Sequence, residues 1–112
     1  MILLYIKINS VRNKLNQLEE LLGDLVDALS IAESKLDSSF STSSLCLDQL
    51  KRPYRLDVSD RSSGILTYVR KDIPSRELTT YKFPEDIQIL PVEINLKKTK
   101  WVVLAICRTS HL

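Results

Sequence analysis

The fold follows from residues 4–33, which read LYIKINSVRNKLNQLEELLGDLVDALSIAE. Apolar Leu4, Ile6 and Ile8 alternate with the residues between them, a pattern typical of a half-buried strand. After this strand, five apolar residues recur at spacings of four, three, four and three, which predicts one apolar stripe along a helix. These residues are Val11, Leu15, Leu18, Leu22 and Leu25.

The helix and the segment after it complete a strand–helix–strand unit. Ser10 offers a hydroxyl as the N-cap, and Gly23 lies where a left-handed C-cap would end the helix. Leu29 and Ile31 begin a second strand, and Glu33 has the same parity as these two residues. The connection is long enough for a crossover, which predicts that the two strands are parallel neighbours.

The sequence after this unit predicts antiparallel strands. Residues 54–58 and 65–69 form a strand pair across a polar turn at 59–64. Residues 87–96 form a further strand, whose apolar phase shifts at Leu90–Pro91. That shift, together with the proline, predicts a bulge or kink and an edge or irregular position.

The last elements settle the predicted fold class. Residues 97–100 predict a four-residue hairpin loop, and the unbroken apolar run 101–107 is typical of a strand buried on both faces. The predicted fold is therefore α/β (α+β): a partial two-sheet sandwich with a βαβ start and mostly antiparallel strands after it. A chain of 112 residues suits one domain, which we expect to be residues 1–112.

The composition excludes several classes of protein. A hydrophobic content of 44% with a net charge of +2 excludes a disordered chain. Two cysteines are too few for a disulfide framework, so we expect an intracellular protein, nuclear or cytoplasmic. The longest apolar runs, Met1–Ile6 and Trp101–Cys107, fall far short of a membrane span of ~20 residues, so no membrane partner is expected.

The charges are unevenly distributed along the chain. Residues 1–50 carry 4 basic and 7 acidic groups, whereas residues 51–112 carry 12 basic and 7 acidic groups. Within the second part, Lys51–Arg76 holds 7 basic groups against 3 acidic ones. Such a stretch could contact a polyanion such as nucleic acid.

Two polar residues at strand ends are the candidate site residues. If the first two strands are parallel neighbours, Asn9 and Glu33 lie at the sheet edge where α/β proteins bind ligands. Glu33 suits one oxygen ligand of Mg²⁺, and Asn9 could orient a phosphate or a metal-bound water. The alternative is structural, with Glu33 capping a turn at Ser34 and Asn9 capping the helix.

Other chemistry-bearing motifs are missing from the sequence. It contains no glycine-rich phosphate loop, no pair of histidines for zinc and no G-x-S-x-G segment. Cys107 ends an apolar run and is interpreted as a packed thiol rather than a nucleophile.

Several segments carry a resemblance to a known family. They are INSVRNKL (8–15), IAESKLDSSF (31–40), PYRLD (53–57), GILTYVR (64–70), DIPSR (72–76) and the run from VEINL (92–96) through Trp101 to Arg108. In order and spacing they resemble the amino-terminal part of an endonuclease/exonuclease/phosphatase domain. The chain is most similar to the apurinic-endonuclease-like domain of non-LTR (LINE-type) retrotransposons.

The resemblance implies a function as well as a fold. Members of the family form a sandwich of two β-sheets flanked by helices and cleave a phosphodiester of DNA with Mg²⁺ or Mn²⁺. Asn9 matches the active-site Asn of the family, and Glu33 matches its metal-binding Glu. In such chemistry the metal neutralises charge on the phosphate while a second group activates water.

The chain also departs from the family pattern. Cys107 replaces the active-site Tyr of the family. The Asp and Asn of a Gly-Asp-Phe-Asn-like segment, and an Asp-His pair that activates water, belong to a second half with no counterpart here. We therefore expect a truncated domain that is inactive alone. We also expect an exposed apolar sheet face through which the chain could self-associate.

Two alternatives to the nuclease hypothesis stay open. The first is a non-enzymatic nucleic-acid-binding or protein-interaction module, which would use the basic stretch Lys51–Arg76 together with Lys97–Lys100. The second is a relic reading frame without a selected function. Whether the chain is an enzyme is therefore undecided by the sequence.

Overall fold

The chain folds into two β-sheets with a helix on one side. The computed structural model describes residues 1–8, 14–22, 25–34, 36, 41–57, 64–79, 82–84 and 87–108. The elements are β1 (Leu3–Lys7), α1 (Leu15–Leu22), β2 (Ala28–Ala32), a 3₁₀ helix (Thr42–Leu45), β3 (Tyr54–Leu56), β4 (Ile65–Val69), β5 (Ser75–Glu77), β6 (Ile87–Leu96) and β7 (Thr99–Arg108). The predicted fold class is confirmed: the protein is a mixed α/β, partial two-sheet sandwich.

The first sheet has the strand order β1-β2-β4-β3 and contains the predicted crossover. β1 and β2 are parallel, with Leu3 opposite Ala28 and Lys7 opposite Ala32. The helix begins at Leu15, and the predicted caps Ser10 and Gly23 lie outside the described residues. Leu25 was predicted to end the apolar stripe, but it follows the helix and is 65% exposed.

One hydrophobic core lies on the helix side of this sheet. Leu29 and Ile31 of β2 and Leu66 and Tyr68 of β4 point into it. Their partners are Val26, Leu36, Leu45, Leu47 and Leu50, with Leu15 and Leu18 of the helix packed against them. The Tyr68 hydroxyl donates a 2.6 Å hydrogen bond to the carbonyl oxygen of Leu45, which satisfies both buried groups.

A second core lies between the two sheets. Ala28, Ile65 and Val69 of the first sheet pack there against the second sheet. The second sheet contributes Leu90, Val92, Ile94, Ala105 and Cys107. Because β2 and β4 bury both faces, even their polar side chains are enclosed: Ser30 Oγ and Thr67 Oγ1 lie 3.0 Å apart and share a hydrogen bond.

The second sheet has the order β5-β6-β7 and differs from prediction at Pro91. The β6–β7 register runs without interruption from Ile87 opposite Arg108 to Leu96 opposite Thr99, so the predicted bulge was wrong. β6 is also the central strand rather than an edge. Pro91 is tolerated because the side of its backbone that lacks an N–H lies beyond the last residue of β5. The Pro91 carbonyl points to that same side and accepts a hydrogen bond from the Leu78 N–H, just after β5.

The hairpin between β6 and β7 is tighter than predicted. The turn contains two residues, Lys97 and Lys98, rather than four. Both have positive φ, 51° and 64°, as both central residues of a type I′ turn do. This turn type matches the twist of the flanking strands, which explains why it forms although lysine is not its preferred residue.

β7 is an edge strand, and its predicted burial on both faces was wrong. Val102, Leu104 and Ile106 are 53%, 51% and 48% exposed on its outer face. On the neighbouring first sheet, Leu3 and Tyr5 of β1 are also exposed, and the Tyr5 hydroxyl donates to the Ile106 carbonyl at 3.1 Å. The structure therefore presents an apolar surface on the outer face of β7, here called the β7 surface: Val102, Leu104 and Ile106.

Replacing Tyr68 with Phe is expected to destabilise the protein by about 1–2 kcal/mol, because the buried Leu45 carbonyl loses its donor. Burial raises the pKa of Tyr68. Since the unfolded phenol ionises near pH ~10, stability is full below that pH and falls above it. Urea unfolding at pH 7 and at alkaline pH measures both effects, and Y68F should flatten the alkaline loss.

Tyr5→Phe is the matched control for Tyr68→Phe. Its hydroxyl bond is exposed, so water replaces the lost partner and the change at pH 7 should stay below about 0.5 kcal/mol. Equal losses in the two variants would contradict the structural role of the buried bond.

The β7 surface predicts concentration-dependent self-association, because an exposed apolar edge strand is a template for pairing. Leu104→Lys places a charge at its centre and should keep the protein monomeric in sedimentation velocity experiments. Leu25→Lys is the control, since Leu25 is also exposed but lies between α1 and β2 rather than on β7. A wild-type monomer at all concentrations, or equal behaviour of the two variants, would show that the β7 surface does not mediate association.

Candidate functional site

Three strands of the first sheet end at the same edge. β1 and β2 are parallel, and β3 runs in their direction because both β2 and β3 are antiparallel to β4. Lys7, Glu33 and Asp57 lie at or just after the carboxyl ends of these strands, and Gly64 lies just before β4. We call these four residues the carboxyl-end edge. Open edges of this kind are where α/β sheets bind ligands.

Glu33 has an unusual backbone at this edge. Its φ is 58°, in the left-handed region that non-glycine residues seldom occupy. β2 ends at Ala32, so Glu33 does not continue the buried face as its parity predicts. Its side chain is 28% exposed, and its Oε1 lies 3.5 Å from the Lys7 ammonium nitrogen. An ion pair this exposed contributes little stability, so it does not explain the cost of the backbone conformation.

Asn9, the other predicted site residue, lies outside the described residues, and its role stays a prediction. The last described residue before it is held close to Glu33. The Ile8 N–H donates a 3.1 Å hydrogen bond to the carbonyl of Ala32, which continues the parallel pairing by one residue. The structural alternative for Asn9, a helix cap, likewise falls outside the described part of the chain.

Asp57 is a carboxylate of this edge that sequence reasoning missed. It lies two strands from β2, a separation of about 10 Å at the usual strand spacing. Both of its oxygens accept hydrogen bonds from Arg55 at 2.8 Å, through Nε and Nη2. The sequence did not reveal that this carboxylate shares an edge with Glu33, because that depends on β4 pairing with β2.

A backbone hydrogen bond between Ser34 and Gly64 joins the chain just after Glu33 to the start of β4. The Ser34 N–H donates to the Gly64 carbonyl at 3.2 Å, and the Gly64 N–H donates to Gln88 Oε1 at 3.0 Å, which ties the two sheets together. Gly64 has φ of 113°, a conformation that favours glycine. The Ser34 hydroxyl is buried and has no hydrogen-bond partner among the described residues. The structure therefore does not support the alternative in which Glu33 merely caps a turn through Ser34.

The described donors do not make a complete metal centre. Mg²⁺ prefers several oxygen ligands, part of them water, so one carboxylate is an incomplete set. At the carboxyl-end edge Glu33 shares its charge with Lys7, and Asp57 is fully engaged by Arg55. Among the residues that the structure describes, no group of three or more His, Cys, Asp or Glu side chains could hold a metal ion.

Cys107 lies between the sheets near the end of β7. It is 7% exposed, which confirms the interpretation as a packed thiol. Burial raises the pKa of the Tyr5 phenol on β1. A negative charge on the nearby Cys107 would raise it further. Cys107 is thus enclosed and presents no reactive group at the carboxyl-end edge.

Comparisons with known proteins do not assign a family. A scan against protein-family models finds no match, and a search of curated proteins finds none. Within the described part of the chain, no helix has the length and apolar character needed to cross a membrane.

The variant Glu33→Gly tests whether the Glu33 carboxylate is needed for the stability of the fold. Glycine removes the cost of the left-handed conformation, about 1–2 kcal/mol. It also increases the entropy of the unfolded chain, which costs the folded state about 0.5–1 kcal/mol, so the free energy of unfolding should rise slightly. Glu33→Gln keeps the backbone cost and loses only an exposed ion pair, so it should change stability by less than about 0.5 kcal/mol. Thermal and urea unfolding measure both; a loss above about 1 kcal/mol in each variant would show that the carboxylate is structural.

Proposed function

We propose that this chain is the amino-terminal half of an endonuclease/exonuclease/phosphatase domain of the apurinic-endonuclease-like kind found in non-LTR retrotransposons. The function of such a domain is to nick DNA at a target site with Mg²⁺ or Mn²⁺. The observation that carries the proposal is the position of Glu33. This carboxylate follows a parallel β1–β2 pair and sits in a left-handed conformation at an open sheet edge.

The left-handed backbone of Glu33 supports a functional role for this residue. Conformational cost persists at a residue only where the surrounding fold determines it, and such residues cluster at binding sites. Here the Ala32 and Ser34 positions are fixed by backbone hydrogen bonds from Ile8 and to Gly64, so the chain must turn at Glu33. A residue with no function at this position would more economically be Gly or Asn.

We propose further that the chain alone does not hydrolyse phosphodiesters. Hydrolysis needs a metal held by enough ligands and a second group that activates water. Glu33 is the only carboxylate of the carboxyl-end edge that is not already engaged by an Arg fork. It would act as one ligand of a Mg²⁺ or Mn²⁺ ion whose remaining ligands come from another segment.

Nicking of supercoiled plasmid tests the proposed activity. We expect the chain with Mg²⁺ to nick no faster than the same sample with EDTA, and no faster than Glu33→Gln. Circular dichroism on each sample shows that the protein is folded. Nicking that requires both Mg²⁺ and Glu33 would overturn the proposal that the chain is silent alone.

Mn²⁺ titration tests the metal-ligand role independently of activity. Paramagnetic broadening of amide signals should centre on residues 32–34, with millimolar affinity expected for a single carboxylate, and Glu33→Gln should abolish it. Asp57→Asn is the control, because Asp57 is engaged by Arg55 and should contribute no binding. Broadening centred elsewhere, or unchanged in Glu33→Gln, would contradict the assignment of Glu33.

A further inference from the structure

Basic residues from separate parts of the chain gather at the end of the sandwich opposite the carboxyl-end edge. Three segments meet there through backbone hydrogen bonds: Leu50 bridges to Arg70, and the Asn95 N–H donates to the Pro74 carbonyl at 2.9 Å. The segments are 50–52, 70–74 and 95–98. They lie near the amino end of β2 and the carboxyl end of β4, because Ala28 is paired with Val69.

The positive charges at this end are only partly neutralised. Arg70 pairs with Asp27 and Asp72, and Glu93 pairs with Arg76 and Lys100. Five further basic side chains make no ion pair with a residue that the structure describes. These are Lys51, Arg52, Lys71, Lys97 and Lys98, and we call them the basic end.

Electrostatics also place Lys51 with this group. The hydrogen bond from Arg70 holds the pKa of Asp72 below its usual range, and the charge of Lys51 lowers it further. Lys51 is also joined to the end of β4, since its N–H donates to the Val69 carbonyl at 2.7 Å. Basic residues that are some 45 positions apart in sequence therefore lie at the same end of the sandwich.

The hairpin tip is the most exposed part of the basic end. Lys97 and Lys98 occupy the two left-handed positions of the turn, where Asn-Gly is the preferred pair. Lysine at both positions lowers local stability, so these lysines oppose the conformational preference of the turn. The neighbouring residues Asn95, Thr99 and Lys100 are exposed and polar. The tip thus presents charged and polar side chains to solvent, and Trp101, which follows Lys100, is 41% exposed.

We propose that the basic end binds the phosphate backbone of duplex DNA, independently of Glu33. The DNA major groove admits a two-stranded β-ribbon, and the β6–β7 tip is such a ribbon with lysines at its turn. Duplex DNA carries about one negative charge per ~1.7 Å of axis, a density that suits several lysines on one surface.

The double substitution Lys97→Asn with Lys98→Gly tests this proposal. Loss of two phosphate contacts should reduce the slope of log affinity against log salt by about 1.8, which is about 30-fold weaker binding near 0.15 M salt. The unfolding temperature should rise at the same time, because Asn-Gly suits both left-handed positions. Fluorescence anisotropy with a 25-base-pair duplex and thermal unfolding measure the two effects.

The control removes the same charge at the other end of the sandwich. Lys7 lies at the carboxyl-end edge, and Lys82 lies near the start of β6, where the Ile87 N–H donates to the Pro84 carbonyl. Lys7→Asn with Lys82→Asn should leave the salt slope unchanged, and Glu33→Gln should leave DNA affinity unchanged. The proposal therefore stands or falls separately from the proposed nuclease ancestry.

Three outcomes would overturn the proposal. The first is wild-type affinity in the Lys97→Asn, Lys98→Gly protein, which would show that the tip does not contact phosphate. The second is an equal loss in the Lys7→Asn, Lys82→Asn control, which would show only a response to net charge. The third is binding to phosphatidylserine vesicles with no binding to duplex DNA, which would identify a membrane surface instead.

Discussion

The structure depends on the antiparallel pairing of β2 with β4, whose residues are buried on both faces. One face packs under the helix and the other against the second sheet, so each apolar side chain here contributes to one of two cores. Fully buried aliphatic side chains contribute about 1.5–3 kcal/mol each. Ser30 and Thr67 are compatible with this burial only because their hydroxyls bond to each other.

This central pair also determines where polar chemistry can occur. A strand buried on both faces cannot carry a carboxylate in its middle without a large desolvation cost. Glu33 is therefore confined to the first position after β2, where the chain leaves the sheet. The same constraint places Arg70 directly after β4, where it meets Asp27 ahead of β2. The central pair β2 and β4 accordingly contains no charged residue.

The sequence predicted those elements whose signal lies in neighbouring residues. The period of Leu4, Ile6 and Ile8 and the length of the crossover were enough for the parallel β1–β2 pair. The sequence could not reveal which strands become edges, because that depends on neighbours far along the chain. For this reason the apolar run of β7 was assigned to a strand buried on both faces, and Pro91 to an edge or irregular position although it lies in the central strand.

The sequence predicted the position of one candidate residue, Glu33, but not the geometry around it. The parallel β1–β2 pair placed Glu33 at the carboxyl-end edge, where the structure also has it, and its role as a site residue stays a prediction. The left-handed turn that ends β2 is set by hydrogen bonds to Gly64 and from Ile8. Asp57 was missed because its position beside Glu33 follows from β4 pairing with β2, which the sequence did not specify. β5, three residues long and polar in sequence, gave no periodic signal at all.

Three described residues other than glycine have positive φ, and all three are charged: Glu33, Lys97 and Lys98. They lie at opposite ends of the sandwich, with the carboxylate at one end and the lysines at the other. Glu33 already shares its charge with Lys7, so that end offers a polyanion little net attraction, whereas the lysine turn offers two positive charges. The proposed contact with DNA through the basic end therefore depends on neither Glu33 nor a metal. The two surfaces can be lost or kept independently, which is why a chain without hydrolytic activity could still retain an affinity for DNA.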